Sequence, residues 1–115
     1  MSKYVYNGVA DRLYNKVKRI YEELCRESKI DVFGLDFEIV DRFDKDSKVA
    51  VLKGNKILIR IDTIDLPDEA LKYIVAHELA HTLCKAHTER FWDILKAICP
   101  EFERGKEILN NKLRV

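Results

Sequence analysis

Apolar positions near the start of the chain recur at steps of three and four: Val9, Leu13, Val17, Ile20, Tyr21 and Leu24, with Arg12, Lys16, Arg19 and Glu23 between them. This spacing predicts an amphipathic helix over Val9–Cys25, capped near Asn7, with one stripe facing a core. The period then changes to two. Phe33, Leu35, Phe37 and Ile39 alternate with small or polar residues, and Asp41–Ser47 supplies a charged turn, as a strand and its exit should. Two more short runs, Val49–Leu52 and Ile57–Ile61, flank Lys53-Gly54-Asn55-Lys56, a two-residue hairpin signal with glycine first. The expectation is a small antiparallel or mixed sheet of three strands. In its last strand Ile57, Ile59 and Ile61 point one way; Leu58, Arg60 and Asp62 point the other and border a cleft.

A helix start follows at Asp65-Leu66-Pro67-Asp68-Glu69, with Asp65 as cap, Pro67 in the first turn and acids at the positive end of the dipole. Leu71, Ile74, Val75, Ala76, Leu79, Ala80 and Leu83 leave this helix almost no solvated face, so it should run through the middle of the domain. Phe91, Trp92, Ile94, Leu95 and Ile98 describe another helix, which Pro100 ends. The last stretch, Glu101–Leu113, is helical but loosely patterned, with Gly105 inside it. It is expected to be less firmly packed. Together these elements make one α+β domain over residues 1–115: an N-terminal helix, a three-stranded sheet, a central helix and C-terminal helices.

Composition narrows the reading. A chain of 115 residues with 47% hydrophobic content can bury a single core. Its 21 basic and 20 acidic residues form no long run of one sign, so neither nucleic acid nor an anionic membrane is expected as partner. The start of the chain lacks the apolar core of a signal peptide and no segment is long enough to span a bilayer, so a soluble, cytoplasmic protein is expected. A charged fraction of 36%, with no Gln and Met1 as the only Met, leans towards proteins built for heat. Cys25, Cys84 and Cys99 form no CxxC pair and read as buried thiols.

The chemistry is concentrated in Tyr73–Trp92, YIVAHELAHTLCKAHTERFW, which contains all three histidines. On a helix His77 and His81 stand one turn apart on one face, about 6 Å along the axis, so both imidazoles can reach one zinc ion. This is the HExxH arrangement. Glu78, rotated roughly 100° from His77, stays off the metal and is placed as a general base. Candidates for a third ligand are His87, Cys84, Glu89, Glu101 and Glu103. Ligands at steps of zero, four and seven would spread over about 10 Å of one helix, too far for bonds near 2.1–2.3 Å to a single ion, which disfavours Cys84. His87 would lie about 15 Å along the axis from His77 if the helix continued, so the chain must turn near Cys84–Ala86. His87 can then fold back, and it ranks ahead of the glutamates. The offset matches HExxHxxGxxH of the metzincins, but Cys84 stands where their glycine turns the chain, and no Met-turn can exist without a second methionine.

HELAH at 77–81, His87, the Phe91-Trp92 pair and a preceding short sheet together resemble the minigluzincins, minimal single-domain metallopeptidases, over nearly the whole chain. The pattern is also similar to SprT-like and other gluzincin-type zincin domains. The resemblance implies a histidine as third zinc ligand, which fits His87. It also implies latency, with a C-terminal segment, here Glu101–Val115, occupying the cleft within one chain or across a homodimer. The resulting expectation is a zinc-dependent metallopeptidase: His77, His81 and His87 hold Zn2+, Glu78 moves the proton, and an extended peptide adds to a sheet edge within Lys56–Asp62. Tyr73 and Arg90 are candidates for steadying the oxyanion. The competing expectation is a non-catalytic structural zinc module that self-associates through its C-terminal segment. The glutamate beside His77 argues against it, because a structural site needs no base and normally has four protein ligands.

Overall fold

The apolar stripe at the start of the chain folds into the expected helix. In the computed structural model, which describes residues 8–30, 34–45 and 48–113, helix α1 spans Val9–Ser28 and buries Val9, Leu13, Val17, Ile20 and Leu24. Gly8, with φ 66°, precedes it. The expected cap Asn7, Phe33 of the first strand and part of the charged turn lie outside the described residues. The helix runs nearly a turn beyond Cys25 to Lys29, whose φ of 60° stops it, and the Ser28 hydroxyl donates to the Leu24 carbonyl at 2.6 Å.

Strands β1 (Asp36–Val40), β2 (Ala50–Lys53) and β3 (Lys56–Arg60) form a mixed sheet in the order β1-β3-β2. The β2–β3 hairpin turns through Gly54 at φ 64°, while Asn55 stays at negative φ, the glycine-first turn expected. Parallel pairing sets Phe37 opposite Ile57 and Ile39 opposite Ile59; antiparallel pairing sets Ala50 opposite Ile59 and Leu52 opposite Ile57. These six residues share the inner face, and Ile57 and Ile59 are fully buried. A slip of one residue would turn Lys56 and Arg60 inward, so burial fixes the register.

One expectation about the sheet is overturned. An edge for substrate was expected within Lys56–Asp62, but β3 is the central strand, hydrogen-bonded on both sides. Among the described residues the edge strands are β1, which packs on α1, and β2, which packs on α2. On the outward side of β3, Leu58 borders a hollow with Phe43, Val51 and Lys53, while Arg60 binds Asp62 at 2.7 Å and the Lys48 carbonyl at 3.0 Å.

A 3-10 turn, Ile61–Asp65, leads into helix α2 (Asp68–Leu83). Asp65 belongs to this turn and does not cap α2. The buried Thr63 hydroxyl donates to the Arg60 carbonyl at 2.8 Å and the Leu66 N–H to the Thr63 carbonyl at 3.0 Å, which places Pro67 at the N-cap. Asp68 pairs with Lys16 at 2.6 Å, and the hydrogen bond from that ammonium holds its carboxyl below the ordinary value. Helix α2 touches α1, β2 and the two helices that follow, α3 (Glu89–Ile98) and α4 (Phe102–Leu113). It is buried along most of its length as expected, but Leu83, expected inside with the other apolar residues, is 46% exposed at its last position, where the chain turns away at Cys84.

The C-terminal segment packs more firmly than its loose pattern implies. Phe102, Gly105 and Leu109 are buried along one face of α4, and a Cβ at Gly105 would meet the Glu69 carbonyl oxygen and the Tyr73 Cβ of α2. The glycine that weakens the helical pattern is the point of closest approach between α4 and α2. Cys99 is buried and Cys25 and Cys84 half-buried, and none of the three is in a disulfide. Among the described residues no helix is long and apolar enough to cross a membrane.

Candidate metal centre

The end of α2 and the loop after it bring the three histidines together. Helix α2 stops at Leu83 because Cys84 turns extended, at φ −151°, while its N–H still donates to the Ala80 carbonyl at 2.9 Å. Within the loop the Cys84 thiol donates to the Ala86 carbonyl at 3.4 Å and lies 3.7 Å from the Thr88 hydroxyl. The Thr88 N–H also reaches the Ala86 carbonyl, at 2.8 Å. This tight turn swings His87 back over the last turn of α2.

Ring centroids of His77 and His81 are 4.7 Å apart, those of His81 and His87 4.7 Å, and those of His77 and His87 5.4 Å. The Nε2 atoms of His81 and His87 are 3.0 Å apart, and one nitrogen from each of the three rings lies within 4.8 Å of the others. A shared proton would account for one close pair of imidazoles but not for three. Zinc bonds of about 2.1 Å hold tetrahedral ligand nitrogens roughly 3.4 Å apart, a spacing that lies between the 3.0 Å of the close pair and the 4.8 Å limit of the cluster. The donor set therefore fits zinc. Burial and the neighbouring His77 hold the His81 pKa below its ordinary value, favouring the neutral ring that ligates metal.

Beneath the cluster lies Phe91, fully buried. Its ring is 4.5 Å from that of His81, 4.9 Å from His87 and 5.1 Å from His77, so one aromatic side chain of α3 supports all three imidazoles. Nothing in the spacing of the histidines revealed this. The available signal was that Phe91 begins the buried stripe Phe91, Leu95 and Ile98 of α3.

Glu78 stands apart from the ligand cluster. It is 7% exposed, its carboxylate lies 3.5 Å from His77 Nδ1, and it faces the cleft between α2 and β2. The larger part of that cleft, about 490 Å³, is lined by Ala50, Leu52, Gly54, His77, Glu78, His81 and Lys85. A smaller part, about 190 Å³, also touches Ala50, His77 and Glu78 and continues past Tyr73 and Val49 to Leu109 of α4. The His77–Glu78 pair thus lies where the two parts meet.

The other sequence candidates fall differently. Cys84 holds the turn and is outside the ligand cluster. Among the described residues Glu89, Glu101 and Glu103 do not join it either; Glu101 faces Lys72 at 3.9 Å. Tyr73 lines the cleft one turn before His77, and its phenol is pushed up to about 12 by burial and then by the charge of Glu78. Arg90 is exposed on α3 and lines neither part of the cleft, which removes it as a candidate for the oxyanion. The involvement of Leu109 and of the β2 edge depends on long-range packing that local pattern does not encode.

Residues 45–112, more than half the chain, match the model of the YgjP-like metallopeptidase domain. Among solved structures the chain is similar to the metallopeptidase zymogen of Pyrococcus abyssi abylysin, with a TM-score of 0.69, 22% identity and coverage of 85% of this chain and 92% of that one. It is also similar to the metallopeptidase zymogen of Methanocaldococcus jannaschii jannalysin, with a TM-score of 0.66, 23% identity and coverage of 84% and 96%. At this identity the likeness shows a common fold, and it agrees with the minigluzincin resemblance carried by the motif. No curated protein matches the chain.

Proposed function

Because the chain belongs to the YgjP-like metallopeptidase family, we propose that it is a zinc-dependent peptidase in which His77, His81 and His87 hold the ion and Glu78 is the general base. The observation that carries this reading is the convergence of three imidazole nitrogens within 4.8 Å beside a buried glutamate that is not one of them. When bound, zinc supplies Lewis acidity and brings the pKa of water towards neutrality. Glu78 accepts the proton of the attacking water as its oxygen adds to the scissile carbonyl carbon, then delivers that proton to the departing amine as the C–N bond breaks. Its placement at the junction of the two parts of the cleft suits a base that must reach both water and leaving group.

Substrate is held by the edge of β2. Among the described residues β2 has a strand partner on one side only, so its other edge offers backbone N–H and C=O groups to an extended peptide above α2, with little demand on sequence. Tyr73, which lines the cleft one turn before His77, is the candidate oxyanion donor. Residues 1–115 act as one unit, with segment 101–115 as its regulatory part. Leu109 narrows the smaller part of the cleft, while among the described residues no side chain of α4 lines the part beside His81 and Lys85. Latency through this segment would therefore act on one side of the scissile bond.

A structural zinc module is less well supported, since among the described residues no fourth side chain joins the three histidines. The test is cleavage of an unfolded protein such as reduced casein by the full chain and by Leu109→Ala. Cleavage that stops with chelator and returns with one equivalent of zinc is expected from at least the widened variant. Cleavage indifferent to chelator, or none by either chain loaded with zinc, overturns the reading.

A further inference from the structure

His87 is the weakly held member of the metal cluster. It is exposed and sits in a loop, whereas His77 and His81 are half-buried on a helix. An exposed side chain free to rotate loses entropy when it is fixed on an ion, so whatever limits its motion beforehand strengthens binding. Besides Phe91, the neighbouring ring is Trp92, stacked on His87 at 6.1 Å with 28° between planes. Trp92 in turn stacks on Phe102 of α4 at 6.0 Å and 28°, and the Lys106 ammonium lies 4.6 Å from the centre of the indole. Phe102 continues to Tyr73 at 6.5 Å and 22°, and Tyr73 to His77 at 5.6 Å. The rings form a closed circuit: His77, Tyr73, Phe102, Trp92, His87 and back to His77.

From this circuit we infer that α4 is a positioning element of the metal centre: Phe102 and Lys106 hold Trp92, and Trp92 holds His87 ready to ligate. The inference rests on the three-histidine site proposed above and adds that the C-terminal helix helps to build it. Gly105, between the two α4 residues, allows the helix to approach closely enough for Phe102 to reach between Tyr73 and Trp92. If α4 only covered the cleft, changing Phe102 would free the cleft and leave metal affinity alone. The two roles therefore predict different measurements.

The experiment is competition for zinc between a chelating dye and the full chain, read alongside the fluorescence of Trp92, the single tryptophan. Phe102→Leu, which keeps apolar volume without the ring, should weaken zinc binding about tenfold, the lower end of what contacts supporting ligands carry. Phe102→Tyr should restore it. Lys106→Gln, at a half-buried position, should weaken binding severalfold and reduce the change in Trp92 emission on zinc addition. Ile20→Ala, in the buried stripe of α1 and a member of neither the ring circuit nor the histidine cluster, should lower the melting temperature while leaving zinc affinity as in the parent. Parental affinity in both Phe102→Leu and Lys106→Gln, with His87→Ala weakened, overturns the inference and leaves the site intact. If His87→Ala itself binds like the parent, the three-histidine reading falls and takes this inference with it.

Discussion

A methyl group at Gly105 would lie closer to the carbonyl oxygen of Glu69 than any real contact allows. The obstacle is backbone, which cannot swing aside as a side chain can. Gly105→Ala must therefore push α4 away from α2, and overpacking of this kind costs about 1–3 kcal/mol. Urea unfolding should show a lower midpoint, although alanine is the better helix former. An unchanged or higher midpoint would mean that α4 does not cross α2 at this position.

Phe91 should matter to both stability and metal. Its ring is fully buried beneath all three histidines. Phe91→Ala should cost about 3–5 kcal/mol as a cavity, whereas Phe91→Leu keeps most of the volume. The leucine variant should fold, melt somewhat earlier and bind zinc about 10–100-fold more weakly, the range for residues that orient ligands. Dye competition checks this, and parental affinity in the leucine variant would reduce Phe91 to core packing.

These two residues mark the boundary of what sequence could tell. The hairpin around Gly54, the alternation of inner-face residues and the return of His87 after a break at Cys84 are local effects, and all three were legible. The pairing of Asp36 with Lys56 is not local. It inserts β1 beside β3 and so takes Lys56–Arg60 away from the edge, leaving β1 and β2 as the edge strands among the described residues. The hydrogen bonds of Thr63 likewise displaced the expected cap at Asp65. Gly105 is ambiguous in sequence for a related reason, since a small residue in a helix can weaken it or let another helix come close, and only the partner decides which. Arg90 was a candidate by proximity in sequence, but it is exposed on α3 away from the cleft.

Alkaline pH offers a separate check on Tyr73. Its folded pKa of about 12 exceeds the ordinary 10.0 because burial and Glu78 disfavour the phenolate. The stability from keeping the phenol neutral is complete below pH 10 and is lost as pH rises from 10 towards 12, because the unfolded chain releases the proton first. Denaturant midpoints followed from pH 9 to 12 should fall in the parent and fall less steeply in Tyr73→Phe. Identical slopes would show that Tyr73 titrates as an ordinary phenol.

Glu78→Gln separates chemistry from metal binding. The amide preserves shape but cannot accept the water proton, so peptide cleavage should drop by about 10²–10⁴-fold while zinc binding stays near the parent value. Cleavage at the parental rate would assign the base elsewhere.

The central claim, that His77, His81 and His87 together form one metal site, is tested most directly by an anomalous difference map at the zinc edge from crystals of the full chain grown with one equivalent of zinc. The account predicts a single strong peak about 2.1 Å from one nitrogen of each of the three histidines, with no protein side chain in the remaining position. A peak held by other residues, or no peak among the three rings, would contradict it.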